Sequence, residues 1–247
     1  MAMEQTLAGG RDVDLRGIGL VVFDEAHHAP CNYLRLALRV PCLLLGLSAT
    51  PFRKDGTSAA LFYMFGQLVP MHAPRPTVHV HWVRMPTDDV RMQYANGKPL
   101  HVQSRRRLAE HEGRQAVLLE LLRGLREEGR RVLALTDFVD HAVATAEALG
   151  VVAMHGRVAR RLDGEALLAE YGVVVATQAL VKEGTDWPSV DTLVLLLPPS
   201  SLEQTVGRLR PRGADFEPRV YDCVDKALYG SRARRLEFYT RTRCVLN

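Results

Sequence analysis

Residues 17–27 read GIGLVVFDEAH, a short apolar run that ends directly in two acidic residues, Asp24 and Glu25. An apolar run of this length, bounded by glycine, predicts a buried β-strand. A second run, CLLLGL at 42–47, precedes the triplet SAT, and a short helix is predicted between the two runs over 32–39. Buried strands that alternate with helices indicate a parallel α/β sheet, in which ligands bind beyond the carboxyl ends of the strands.

The same alternation resumes at Arg105 and continues through the rest of the chain. Strands are predicted at 131–135, 151–154, 173–176, 192–197 and 219–224. Helices are predicted at 108–125, 140–149, 162–171, 201–208 and 231–239. This second block has enough strands for a complete α/β domain, whereas the two strands of the first block form only part of one.

The segment between the two blocks differs in composition. Four prolines lie within 70–86, around a strand-like piece at 78–83, and residues 90–102 are polar and turn-rich. We therefore predict a partial first domain over 1–75, a linker over 76–104 and a complete second domain over 105–247. A long surface insertion within a single domain is the alternative for the middle segment.

The composition of the chain excludes several classes of protein. Its 247 residues are 47% hydrophobic and 24% charged, which is typical of a globular protein. No apolar run reaches the roughly 18 residues of a membrane span, and residues 1–10 do not resemble a secretory signal. The four cysteines are scattered and form no CxxC pair, so we expect an intracellular, reduced protein, without distinguishing cytoplasm from nucleus.

The charge of the chain is carried unevenly by its two basic residue types. The net charge is +4, and four lysines accompany 28 arginines. Arginine suits bidentate contacts with phosphate, but a GC-rich genome produces the same bias, and we favour that explanation. The triplet Arg105-Arg106-Arg107 could bind phosphate, but at the start of a helix we interpret it as a solvated linker face.

The acidic pair at 24–25 has a chemical use as well as a structural one. Two carboxylates at a strand end can hold Mg²⁺ through water and polarise an attacking water molecule. The alternative is that both are simply solvated. The triplet at 48–50 weighs against that alternative, because it follows the next buried strand.

VVFDEAHHAP and LLLGLSATPFRKDG resemble motifs II and III of superfamily 2 DEAH-box helicases, nucleic-acid motor ATPases built from RecA-like domains. The closest likeness is to the subgroup of excision-repair helicases and viral and phage members. The resemblance implies that Asp24 binds Mg²⁺ together with Glu25, and that Glu25 is the general base for the hydrolytic water. It also implies that His27 and the Ser48 and Thr50 hydroxyls couple ATP to movement on nucleic acid.

The tail of this segment, Arg53-Lys54-Asp55-Gly56, also fits that subgroup. Arg53 and Lys54 either contact nucleic-acid phosphates or are solvated loop charges, and both interpretations stay open.

The second block is similar to the remaining motifs in the expected order. VLALTDF at 132–138 resembles motif IV, and the following strand end implies that His155, Gly156 and Arg157 contact the nucleic-acid backbone. Thr177 and the EGTDWP segment at 183–188 resemble motif V. There Thr177 would bond a phosphate, while Gly184 and Asp186 would lie near the nucleotide.

QTVGRLR, beginning at Gln204, looks like motif VI, whose arginines act as fingers on the γ-phosphate. The sequence departs from the motif at Pro211, where an arginine is expected. Arg208 fits the pattern, and Arg210 or Arg212 could replace the lost finger. The resemblance requires Arg208 and the acidic pair to face each other across one cleft.

No GxxxxGK[ST] segment occurs in the sequence. The only Gly-Lys dipeptide is Gly97-Lys98, and the next residue is Pro99 instead of serine or threonine. The resemblance therefore implies that a preceding segment, or a protein partner, supplies the P-loop. We expect one partial and one complete RecA-like parallel sheet domain.

The expected function is an ATP- and Mg²⁺-dependent helicase or translocase. The subgroup favours DNA over RNA. Because the P-loop is missing from the sequence, we expect this chain alone not to hydrolyse ATP. A catalytically inactive module that binds nucleic acid or a protein partner is the alternative.

Overall fold

A computed structural model describes residues 17–26, 43–48, 52, 56–70, 77–159, 161–182, 187–199, 201–207, 209 and 217–247. The chain divides into two compact units, Met1–Ala73 and Pro74–Asn247. None of the helices in these described ranges is long and apolar enough to cross a membrane.

The first unit contains the strand pair that the sequence predicts. Its elements are β1 (Leu20–Phe23), β2 (Leu43–Gly46) and helix α1 (Ser58–Phe65). The strands are parallel, with Leu20 opposite Leu43 and Phe23 opposite Gly46. The Phe65 ring packs edge-on against Phe23 with centroids 5.4 Å apart, and a Cβ at Gly46 would lie 2.9 Å from it. A glycine is therefore required where α1 covers this face of the strand pair. The helix predicted at 32–39 lies outside the described residues.

The opposite face of this strand pair is apolar and exposed. Leu20 and Val22 on β1 are 50% and 49% exposed, and Leu43 and Leu45 on β2 are 74% and 45% exposed. Parallel sheets are normally covered on both faces. These four side chains, which we call the open face, form an unusual apolar surface on the first unit.

The second unit is built on a parallel sheet of seven strands. Its strands are β3 (His79–Arg84), β6 (Val132–Thr136), β7 (Ala153–Met154), β8 (Val173–Thr177), β9 (Thr192–Leu195), β10 (Arg219–Val224) and β11 (Val245–Leu246), in the spatial order β11-β3-β10-β9-β6-β8-β7. Every described pair of neighbours in this sheet is parallel, so all carboxyl ends lie along one edge.

Helices accompany this sheet. They are α2 (His101–Ala109), α3 (Glu112–Glu127), α4 (Val139–Leu149), α5 (Gly156–Ala159), α6 (Gly164–Tyr171), α7 (Gln178–Lys182), α8 (Leu202–Val206) and α9 (Tyr229–Arg241). Leu133 and Leu135 of β6 enter one buried apolar cluster, and Val132 and Ala134 enter another. Alternate residues of one strand therefore face two separate cores, which explains the continuous apolar runs of the sequence.

Part of the predicted linker belongs to the second unit, which corrects the assignment of 76–104 from sequence. Strand β3 pairs with β10 along its whole length and with β11 at its start. A short hairpin, β4 (Tyr94–Ala95) and β5 (Lys98–Pro99), follows it. Its turn residues Asn96 and Gly97 have φ of 51° and 73°, the conformation that favours Asn-Gly.

The helix predicted at 108–125 is two helices. The break lies at Glu110 and His111, where His111 Nδ1 accepts a hydrogen bond from the Arg114 amide at 3.1 Å and begins α3. Histidine is not a common helix cap, so the sequence pattern predicts one continuous helix across this break.

Several arginines are structural. Arg114 and Asp225 are both fully buried, with Nε 2.9 Å from Oδ1, and Thr87 Oγ1 donates to the same carboxylate at 3.1 Å. Arg130 pairs with Asp191 at 3.0 Å near the opposite edge of the sheet. Both guanidinium groups have a carboxylate partner, and their remaining bonds include the Leu196 carbonyl for Arg114 and the Thr192 hydroxyl and Glu217 carbonyl for Arg130.

Candidate functional site

The acidic pair lies where β1 ends. Asp24 and Glu25 are exposed, and the Glu25 amide donates to Asp24 Oδ1 at 2.9 Å. Glu25 has φ of 48°, in the left-handed region that a residue with a Cβ rarely adopts. Such a conformation costs about 1–2 kcal/mol, so the turn after β1 stores backbone strain at a predicted site residue.

Hydrogen bonds bind this turn to the end of β2. The Ala26 amide donates to the Leu47 carbonyl at 2.8 Å, and the Leu47 amide donates to the Phe23 carbonyl at 2.8 Å. Ala26 is buried, and a Cβ on Gly46 would lie 3.1 Å from its methyl group. Ser48, the next residue after Leu47, is thereby brought to the sheet edge that carries the acidic pair.

The donor set at this edge fits a magnesium ion that keeps most of its water. Carboxylate oxygens are suitable ligands, and Mg²⁺ usually takes only one or two of them together with phosphates. Among the described residues, no group of three or more His, Cys, Asp or Glu side chains could hold a metal by itself. A cation held by Asp24 and Glu25 would therefore depend on water and phosphate for its remaining ligands.

In the second unit, three predicted segments end on neighbouring strands. Thr136 ends β6, Thr177 ends β8, and His155 follows β7, in the spatial order β6-β8-β7. Thr177 is buried, whereas His155 is half-buried. Gly156 has φ of 43°, and its Cβ position faces open space, so backbone atoms are accessible there. The structure thus gathers the ends of the predicted motifs IV and V and the His-Gly segment on one edge.

Two polar side chains near the end of β6, Thr136 and His141, are buried and stabilise the fold through hydrogen bonds. Thr136 Oγ1 lies 2.8 Å from His141 Nδ1, and His141 Nε2 lies 3.1 Å from Gln115 Oε1. Burial, together with the positive charge of Arg114, lowers the pKa of His141 to about 4. The His141 imidazole is therefore neutral and fixes the start of α4.

Arg105 corrects one interpretation made from sequence. Its guanidinium pairs with Asp137 at the end of β6 and donates to the Pro198 carbonyl at 2.6 Å beyond β9. Burial lowers its pKa. Arg105 is therefore a clamp between two strand ends and not part of a solvated face. Its neighbour Arg106 is exposed and pairs with Asp140.

The segments that resemble motifs V and VI are also joined. Helix α7 begins directly after Thr177 and packs against α8, which carries Gln204. A Cβ at Gly207 would come within 2.9 Å of the Glu203 carbonyl oxygen, so the end of α8 requires glycine. Gln178 Nε2 donates to the Leu197 carbonyl at 3.3 Å and fixes the start of α7.

Trp187 anchors the end of the EGTDWP segment. The indole is buried and lies against α6, where a Cβ at Gly164 would be 2.4 Å from the ring. Sequence reasoning missed this contact, because the two residues are distant along the chain and no local pattern connects them.

The described residues include seven of the predicted site residues. Asp24, Glu25 and Ser48 lie in the first unit, and His155, Gly156, Thr177 and Gln204 lie in the second. The other predicted residues lie outside the described set: His27, Thr50, Arg53, Lys54, Gly184, Asp186, Arg208, Arg210, Arg212 and the Arg157 side chain. The predicted juxtaposition of Arg208 with the acidic pair thus stays a prediction.

Comparison with known proteins identifies helicases. No family model matches. A putative ATP-dependent RNA helicase of Acanthamoeba polyphaga mimivirus is 25% identical over 244 residues, covering 91% of this chain and 47% of that protein. The putative DNA 3'-5' helicase Rad25 of Halobacterium salinarum is 28% identical over 154 residues, covering 58% of this chain and 25% of that protein. The chain thus spans about half or less of these relatives.

Solved structures agree on the fold. Dbp5 of S. cerevisiae, bound to RNA and ADP BeF3, matches with a TM-score of 0.60 at 15% identity, covering 94% of this chain and 60% of that one. The helicase domain of Pyrococcus furiosus Hef matches with a TM-score of 0.54 at 16% identity, covering 96% of this chain and 76% of that one. The α/β fold is that of RecA-like helicase domains, as predicted.

Proposed function

We propose that this chain is the C-terminal portion of an ATP-dependent superfamily 2 helicase or translocase of the DEAH type. The observation that supports this most directly is the pair of hydrogen bonds between the turn at Ala26 and Leu47. They bring the acidic pair after β1 and Ser48 after β2 to one sheet edge, as coupling of hydrolysis to movement would require. The likeness to helicases in sequence and fold adds to this support.

In this proposal the acidic pair performs the hydrolytic chemistry. Asp24, with Glu25, would hold Mg²⁺, which neutralises phosphate charge when bound. Glu25 would accept a proton from the attacking water as general base. The side chains of His27, Ser48 and Thr50 would couple ATP hydrolysis to movement on nucleic acid.

The second unit supplies the remaining contacts to the nucleotide. Gln204 and Arg208 would approach the γ-phosphate, with Arg210 or Arg212 replacing the finger lost at Pro211. Gly184 and Asp186 would lie near the nucleotide. Helix α7 packs directly on α8. This packing supports a movement in which the two helices, and the nucleotide contacts that they carry, shift together.

Nucleic acid would be held through its phosphates. Thr177, His155, Gly156 and the Arg157 segment lie at the ends of β8 and β7, where an open backbone at Gly156 allows close approach. Arg53 and Lys54 of the first unit would extend this grip. The relatives include a putative RNA helicase and a putative DNA helicase, and we propose DNA on the strength of the subgroup resemblance.

The P-loop would come from a preceding segment or a partner protein, because this sequence contains no GxxxxGK[ST]. The ATP dependence named for the mimivirus relative and the ADP BeF3 bound to Dbp5 support ATP as the fuel. The mimivirus origin of one relative supports a viral connection.

A catalytically inactive binding module is the second candidate. Pro211, at a position where the motif has arginine, favours it, and so does the lack of a P-loop in the sequence. In that case the chain would bind nucleic acid or a protein without turning over ATP.

One experiment separates the two candidates. ATP hydrolysis would be measured with and without single-stranded DNA or RNA, for this chain and for a form joined to a segment with a P-loop. The motor proposal expects stimulated hydrolysis only in the joined form, and loss of it in Glu25→Gln. A joined form that binds nucleic acid but never hydrolyses ATP would establish the inactive module.

A further inference from the structure

A second candidate site lies at the carboxyl ends of β3 and β10, beside the start of α9. A cavity of about 420 Å³ opens there, within the size range of ligand sites. Its lining includes Trp82, Arg84, Asp88, Val224, Lys226 and Arg232. None of these residues belongs to the helicase motifs discussed above. We call this cavity the Trp82 pocket.

The charge of the Trp82 pocket is positive. Three cations, Arg84, Lys226 and Arg232, and one carboxylate, Asp88, line the pocket. The Asp88 carboxylate lies 3.5 Å from both Arg84 Nη2 and Lys226 Nζ. The Arg84 and Lys226 side chains are 84% and 69% exposed. Ion pairs this exposed are weak, so an entering anion can compete with Asp88 for both cations.

The wall of the pocket is aromatic. The Arg232 guanidinium carbon lies 5.1 Å from the centre of the Trp82 ring, and Tyr239 packs edge-on against the indole at 5.6 Å. A guanidinium over an indole is held in a defined plane, which prepares its donors for a phosphate. The indole therefore serves as a platform for a charged group as well as an apolar surface.

A buried ion pair lies beneath this platform. The Arg235 guanidinium carbon lies 5.8 Å from the same indole, and the side chain is 6% exposed. It pairs with Asp222, but within the described residues its Nε and Nη2 have no hydrogen-bond partner. Asp222 also accepts from Tyr239 Oη at 2.9 Å, so its negative charge is shared.

The position of the pocket relates it to the predicted nucleic-acid grip. All strands of the seven-stranded sheet are parallel, so the pocket and Thr177 lie along the same edge of the sheet. Four strand spacings separate β3 from β8, which is about 19 Å. One polynucleotide strand can cover that distance.

We infer that the Trp82 pocket binds a phosphodiester of single-stranded nucleic acid, as a second contact on the strand that passes Thr177 and His155. Positive charge combined with an aromatic platform is the usual basis of such binding. The inference rests on the proposed function for its ligand class, since the pocket by itself specifies a phosphate beside a planar group.

The test uses the whole chain and a fluorescently labelled oligothymidine, followed by anisotropy at several salt concentrations. The double variant Arg84→Glu/Lys226→Glu should bind about tenfold or more weakly at low salt. The slope of log K against log salt should fall by roughly 1.4, for two lost contacts with a single strand. Arg126→Glu/Arg131→Glu, an equal charge reversal on exposed residues away from the pocket, should change both quantities much less.

A second readout reports on the pocket itself. The chain has two tryptophans, so in a Trp187→Phe background, with excitation at a wavelength that tyrosine does not absorb, only Trp82 emits. Added oligothymidine should change this emission saturably, with the same midpoint as the anisotropy.

The outcomes are distinct. If the unmodified chain binds the oligonucleotide but Arg84→Glu/Lys226→Glu behaves like the control pair, the inference is overturned while the proposed function stands. Emission from Trp82 that does not respond to saturating oligonucleotide overturns it equally. If the unmodified chain fails to bind at all, the nucleic-acid grip and the pocket are both rejected.

Discussion

The backbone amide of Ala26 donates to the carbonyl oxygen of Leu47 at 2.8 Å. This bond joins two segments that lie apart in the sequence. One resembles helicase motif II and the other resembles motif III. It holds the turn at Glu25, where the backbone is strained, next to Leu47, the residue that precedes Ser48. A substitution in either segment should therefore alter the conformation of the other. The acidic pair is the best place to test this coupling.

Glu25→Gln should reduce ATP hydrolysis by about 10²–10⁴-fold in a form of the protein that has a P-loop, because the general base is lost. The amide has the same shape, and Asp24 remains to hold Mg²⁺, so nucleotide affinity should fall much less than the rate of hydrolysis. Steady-state hydrolysis and nucleotide titration measure the two quantities. Glu112→Gln, at the exposed start of α3, is the control. Full activity in Glu25→Gln would remove this residue from the mechanism.

Gly164→Ala should lower the free energy of unfolding by about 1–3 kcal/mol, because the new Cβ would lie 2.4 Å from the Trp187 ring. Gly124→Ala is the matched control. It lies within α3 with no heavy atom close to its Cβ position, and should stabilise by about 0.5–1 kcal/mol. Urea unfolding measures both, and equal behaviour of the two variants would contradict the packing described for Trp187.

Arg114→Leu should destabilise the protein by about 3–5 kcal/mol, since it leaves the buried Asp225 carboxylate without its cation. Arg106→Leu, which removes an exposed partner of Asp140, should leave the unfolding midpoint almost unchanged. Chemical denaturation of the two variants in parallel gives the comparison. A small effect of Arg114→Leu would mean that water or another group reaches Asp225.

The neutral His141 predicts a dependence of stability on pH. Its pKa is about 4 in the folded protein and 6.5 in the unfolded chain, so the unfolded chain binds the extra proton between these values. Stability should therefore be complete above pH 6.5 and fall as the pH drops towards 4, by about 3 kcal/mol in total.

Urea unfolding between pH 4.5 and 7.5 measures this slope. His141→Gln cannot be protonated and should lose the part of the slope that comes from this residue. His101→Gln, at the exposed start of α2, should retain it. If His141→Gln keeps the full slope, other groups are responsible.

The strands of the central sheet were predictable because their environment is simple. Residues of β6, β8 and β9 are buried on both faces, so their apolar runs identify them without any knowledge of partners. The ends of those runs then indicate the site, since Thr136 and Thr177 are the first polar residues after each one.

Features that depend on distant partners were not predictable. The strand-like piece at 78–83 was recognised, but its pairing with β10 depends on residues far along the chain, and so it was placed in a linker. Arg105 was interpreted as solvated because nothing local reveals Asp137 and Pro198. The Trp82 pocket is invisible for the same reason, since its lining comes from three separate elements.

Strand β3 enters the seven-stranded sheet soon after the chain leaves the first unit, and hydrogen bonds flank it on both sides. A pull along the connecting segment would load these bonds together in shear, instead of peeling them apart one after another. The attachment of the second unit to the connecting segment should therefore resist mechanical force. Force applied through that segment would be borne by the strands of the sheet.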